Sequence, residues 1–130
     1  MKDWLTSVRA RIADGTLLPT EYYAGLDCNA ALDARDGDTE FDAEWTRTLK
    51  EIEDRWVGAS VERDLKSLAA DIRRESFLVV SQATRQHEIA SYVSDDLDLI
   101  VRGRLVGVAA PLLERLWAAY ERGEFPTPPL

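Results

Sequence analysis

Apolar residues recur along most of the chain at intervals of three and four, which is the spacing of one face of an α-helix. The clearest run is Phe41, Trp45, Leu49, Ile52 and Trp56, and it predicts one long helix. A second run, Val61, Leu65, Leu68 and Ile72, does not continue the phase of the first. Gly58 falls between the two where a left-handed cap fits, so the reading is a helix, a turn at 58–60 and another helix. The stretch SFLVVSQ at 76–82 is apolar enough for a buried strand, yet the helical pattern leading into it predicts continuation. A lone strand would also lack a partner.

The remaining segments follow the same rule. Trp4, Val8 and Ile12 predict a short first helix that Gly15 and Pro19 end. Residues 20–34 carry Tyr22, Tyr23, Leu26 and Ala30 at helical spacing, weakened by the poor helix formers Gly25 and Asn29. Ser94 before Asp95 and Asp96 reads as an N-cap with acids in the first turn, opening a helix that carries Leu97, Ile100, Val101 and Leu105. Pro111 suits the first turn of a last helix with Leu112, Leu113, Leu116, Trp117 and Tyr120 on its buried face and Gly123 as its stop. Each amphipathic stripe needs another to cover it, so the fold class is all-α. The expectation is one helical bundle or orthogonal array of six to seven helices with short connections over residues 1–125, with a Pro-rich extended tail at 126–130. The four tryptophans, Trp4, Trp45, Trp56 and Trp117, lie on the stripes, and at least three are expected in the core.

Composition narrows the function. A chain of 130 residues suits one core, and Leu, Ile, Val and Phe make up about a quarter of it, above the level of disordered chains. Twenty-four acids against 16 bases give a net charge of −8, which repels nucleic acid and anionic membrane surfaces alike. No apolar run approaches the roughly 20 residues that span a bilayer. The N-terminal segment is interrupted by Lys2, Asp3, Arg9, Arg11 and Asp14, so it does not read as a secretory signal, and a cytoplasmic protein of bacterial style is expected. Cys28 is the sole cysteine, which excludes an internal disulfide and a thiolate zinc site; it reads as a small, partly buried apolar side chain.

The acids are unevenly placed. DARDGDTEFDAEW, residues 33–45, holds six of them, and residues 21–44 hold eight acids and the single base Arg35, so this segment carries seven of the eight net negative charges. A calcium loop fails on register. With Asp33 at position 1 of an EF-hand loop, Glu44 reaches position 12, but positions 3 and 5 become Arg35 and Gly37; with Gly37 at position 6, the ends become Leu32 and Ala43. Helix capping accounts for some acids, since Thr39 with Asp42 resembles a capping box and Glu40, Asp42 and Glu44 adjoin the positive end of the helix dipole. The excess beyond that is either a solvated loop that tolerates acids or a surface that attracts a basic partner. The candidate binding residues are therefore Asp33, Asp36, Asp38, Glu40, Asp42 and Glu44.

Catalytic chemistry has little to stand on. His87 is the only histidine, and on a helix it reads as a surface polar residue; a Cys28–His87 nucleophile would need contact across 59 positions. Phosphate loops, serine elbows and HExxH are absent, and nothing calls for a cofactor. Carboxylates one turn apart occur at Glu40 and Glu44, Glu51 and Asp54, and Asp95 and Asp98. Those on the long helix flank its apolar stripe, where Arg47, Lys50 and Arg55 make surface ion pairs the simpler account. Arg73, Arg74, Arg102 and Arg104 could collect an anion if their helices converge, but the simpler expectation is that they are solvated or paired with acids such as Asp71, Glu75 and Asp98. The leading expectation is a non-enzymatic module that binds a basic protein, of inhibitor, antitoxin or immunity type by likeness of size and charge alone. The competing class is a divalent-metal helical enzyme using carboxylates and His87, and a third possibility is self-association through Tyr22, Tyr23 or the tail.

Overall fold

A computed structural model describes residues Met1–Leu130 as seven helices without a strand: α1 (Lys2–Ala13), α2 (Thr20–Ala24), α3 (Cys28–Asp36), α4 (Thr39–Gly58), α5 (Arg63–Thr84), α6 (His87–Leu105) and α7 (Pro111–Glu121). The all-α reading and the helix count hold. So do the continuation of α5 through 76–82, Pro111 at the start of α7, and Gly123 in a left-handed conformation just beyond its end.

α6 is the axis of the fold. Between Val93 and Val101 every residue except Asp95 is buried, because other helices cover α6 on nearly all sides. α5 makes the most extensive contact with it, running back along it after a two-residue connection, as an αα-hairpin does. α1 and α2 pack on α5, α4 and α7 pack on α6, and α3 adjoins α4. One continuous core results, with Leu5, Val8 and Ile12 from α1, Ile72 and Val80 from α5, Ile89, Val93 and Leu97 from α6, and Leu112 and Leu116 from α7. Gly103 permits the close approach of α4 and α7 to the end of α6: a Cβ there would lie 2.7 Å from Leu113 Cδ1 and 3.1 Å from Ile52 Cδ1.

Four local expectations are corrected. The helix expected to be capped by Ser94 is preceded instead by Gln86, eight residues earlier, and begins at His87, so Ser94, Asp95 and Asp96 lie within it. Its start is set by the preceding turn, where Arg85 takes a left-handed conformation (φ 58°) and the Gln86 amide donates to Thr84 Oγ1 at 3.1 Å. Residues 20–34 form two helices broken at Gly25–Leu26, and Asp27 caps the second by accepting from the Ala30 amide. Gly58 is not left-handed; α4 ends because Ala59 is extended. Finally, the cap of α4 is Asp38, whose carboxylate accepts from the Phe41 amide at 2.9 Å, one residue before the expected Thr39.

The tryptophans are corrected as well, since all four are half-buried instead of interior. Leu5, Ile52 and Leu116 are fully buried in the core, and the ring faces of Trp4 and Trp56 meet cations. The Trp4 ring stands edge-on to Trp117 with centroids 5.5 Å apart, and the Arg104 guanidinium lies 4.1 Å from its centroid. The chain after α7 folds back: Phe125 and Pro126 are buried, and the Phe125 amide donates to the Tyr22 hydroxyl at 3.0 Å. No helix is long and apolar enough to cross a membrane.

Candidate functional site

The acidic segment is organised around a buried ion pair. Asp96, fully buried on α6, accepts both terminal nitrogens of Arg35 from α3, at 2.8 and 3.0 Å. It also accepts from Trp45 Nε1 on α4 at 3.0 Å and from the Tyr120 hydroxyl on α7 at 2.6 Å. One carboxylate therefore ties four helices together with four donated hydrogen bonds, and such charge-assisted, bidentate bonds are the strong class. Arg35 is enclosed in turn by the rings of Phe41, Tyr92 and Phe125, with centroids 4.6, 5.4 and 5.2 Å from its guanidinium carbon. Burial alone would lower the Arg35 pKa, but the charge and hydrogen bonds of Asp96 raise it, so the guanidinium stays charged.

Above this pair lies a cleft of about 170 Å³ lined by Arg35, Asp36, Phe41, Asp42, Trp45, Tyr92, Asp95 and Asp96. Its rim is acidic. Asp36 accepts from the Tyr92 hydroxyl, a bond that, together with burial, pushes the Tyr92 phenol up to about 12. Asp42 makes no ion pair within the chain. Burial raises the Asp95 carboxyl above its usual range, opposed by Arg73, whose terminal nitrogen lies 2.6 Å away.

The structure sorts the six candidate acids. Asp36 and Asp42 meet at the cleft. Asp33, one turn before Asp36 on α3, and Glu40, in the first turn of α4 with Asp42, are exposed and unpaired. Asp38 is occupied as the α4 cap, and Glu44 is matched by Arg115. Arg35, the only base of the segment, is turned into the core and consumed by Asp96.

Sequence reasoning did not place Tyr92 in a site, read Asp95 and Asp96 as acids of a helix start and Asp95 also as a carboxylate one turn from Asp98, and read Phe41 and Trp45 as core. A signal for Asp96 was present: it stands three residues after Val93 and four before Ile100, on the apolar face of its own helix. Placing the helix start at Ser94 hid that register.

The chemical alternatives lack geometry. No three His, Cys, Asp or Glu side chains converge as a metal ion would need. Glu51 and Asp54 are instead joined to Arg55 and Lys50, and Asp98 to Arg73 and Arg102. His87 is exposed, stacked on Phe77 at 5.7 Å and hydrogen-bonded to Ser81 Oγ at 3.0 Å. Cys28 is buried with its Sγ 3.7 Å from the Leu26 carbonyl oxygen, and burial pushes its thiol pKa up, which suppresses the thiolate.

Residues 7–127 match the profile of a family described as Immunity protein PIM1, a span that runs from within α1 through α7 and the buried residues that follow it. The chain belongs to the PIM1 immunity-protein family. No curated protein matches it. Membership in the PIM1 family gives the bundle an immunity-type role, and the match takes in Arg35, Asp96 and every residue of the cleft.

Proposed function

We propose that this immunity-type protein acts in the cytoplasm by binding a basic partner protein, with the acidic face of α3 and the start of α4 as the contact surface. The observation that carries the reading is the inward turn of Arg35. The one cation within the segment is withdrawn from the surface, so Asp33, Asp36, Glu40 and Asp42 face solvent with no basic side chain paired to them. Such an uncompensated face steers a positively charged partner and rejects anionic ones. The ion pairs of the chain lie elsewhere or at its edges, at Arg115 with Glu44 and Arg73 with Asp95.

The test is the affinity of the full chain for the partner protein that co-purifies with it, as a function of salt. Wild type should bind more weakly as salt rises, and Asp33→Lys/Glu40→Lys should lower the association rate while leaving the fold unchanged by circular dichroism. Association that is indifferent to both salt and the double variant rules out the acidic face as the contact surface.

A further inference from the structure

The cleft between α3, α4 and α6 differs from the open acidic surface around it because aromatic rings line it. Phe41, Trp45 and Tyr92 stand with Asp36, Asp42 and Asp95 around one opening, and the Arg35–Asp96 ion pair closes the floor. The floor cation is already satisfied on both terminal nitrogens, and Asp95 is held by Arg73. Two carboxylates at the cleft, Asp36 and Asp42, have no cation. A volume of about 170 Å³ is far below a ligand pocket of roughly 300–1,000 Å³ and suits a single side chain.

Arg35 shows how the same residues treat a guanidinium. It packs against the Phe41 and Tyr92 rings and presents its planar fork to a carboxylate. Trp45 is held from behind by its Nε1–H bond to Asp96, which fixes the indole plane before any partner arrives. Tyr92 is fixed in the same way by Asp36. A rigid, half-buried aromatic socket with uncompensated carboxylates is the setting in which arginine becomes an interface anchor.

We propose that this cleft receives one cationic side chain of the basic partner, an arginine whose guanidinium lies against Trp45 and Tyr92 and is bound by Asp36 and Asp42. This rests on the basic-partner reading and adds to it a discrete anchor. The surrounding acids then govern how fast the partner arrives, and the cleft governs how slowly it leaves.

The test uses a probe in place of the partner. N-acetyl-arginine amide is titrated into the full chain at constant ionic strength, with the neutral isostere N-acetyl-citrulline amide as control, while the indole N–H resonances are followed by NMR. The expected result is a saturable movement of the Trp45 resonance with the arginine probe, none with citrulline, and Trp4, Trp56 and Trp117 unmoved. Asp42→Asn, an exposed change that leaves the buried pair intact, should abolish it, and Tyr92→Phe, which retains the ring, should weaken it. In the complex, Asp42→Asn should raise the dissociation rate about tenfold or more, as hot-spot truncations do. Equal response to citrulline, movement of all four indoles, or no saturable movement overturns the cleft. An unchanged dissociation rate in Asp42→Asn, with Asp33→Lys/Glu40→Lys still slowing association, also overturns the cleft while leaving the acidic face standing.

Discussion

Replacing Asp96 with asparagine separates the charge of the buried pair from its shape. The asparagine side chain occupies the same volume, but its one remaining carbonyl cannot serve the four donors that converge on Asp96, and its NH2 points a donor at another donor. The Arg35 guanidinium is then left buried, 6% exposed, with no counter-charge. Removing one partner of such a pair costs about 3–5 kcal/mol, a large fraction of the roughly 5–15 kcal/mol that a domain has in total. With an unfolding entropy near 2.1 cal/mol/K per residue over 130 residues, the melting temperature should fall by roughly 10–20 °C. Urea unfolding followed by circular dichroism, with calorimetry for the melting temperature, gives the number. The second half of the test is Arg35→Met/Asp96→Asn, which removes the orphaned charge and should be more stable than Asp96→Asn alone. A loss under about 1 kcal/mol for Asp96→Asn, or a double variant equal to the sum of the singles, would refute the buried pair as the joint of α3, α4, α6 and α7.

Two buried tyrosines should respond in opposite ways. The Tyr23 hydroxyl is buried without a hydrogen-bond partner, so Tyr23→Phe should leave urea stability unchanged or raise it, whereas Tyr120→Phe, which removes a donor from Asp96, should cost about 1–3 kcal/mol. The hydrogen bond to Asp36, with burial, pushes the Tyr92 phenol up to about 12 from an ordinary value of 10.0, so this bond contributes stability that is intact below pH 10 and lost as the pH climbs towards 12. Ultraviolet titration of Asp36→Asn should show one phenol returned towards 10.0, and an unchanged titration curve would break the Tyr92–Asp36 link.

The sequence made most of the architecture legible because helical periodicity records which side of each helix is covered. The stripe from Phe41 to Trp56 and the pattern from Val61 onward located α4 and α5 within a residue or two. What failed were features decided by tertiary contacts. Ser94–Asp95–Asp96 has the residue types of a helix start, but covering α6 on nearly all sides overrode that local signal and placed Asp96 among Val93, Leu97 and Ile100. The same override drew Arg35 inward: nothing in its neighbours Ala34 and Asp36 distinguishes it from a surface arginine, and its role depends on a carboxylate 61 positions away. The indoles were over-assigned to the core because stripe position does not report how much of a large ring reaches the interior. The six acids read as one class, while geometry divides them into Asp38 as a cap, Glu44 as an ion-pair partner, Asp36 and Asp42 at the cleft, and Asp33 and Glu40 exposed and unpaired.

Hydrogen–deuterium exchange of the chain alone and in complex with its cognate partner locates the contact surface most directly. Complex formation should slow exchange in residues 33–45 and around Tyr92, with the far side of the bundle, on α1 and its face of α5, unchanged. Slowed exchange confined to α1 and α5, with residues 33–45 exchanging as they do in the free protein, would contradict the acidic face as the binding surface.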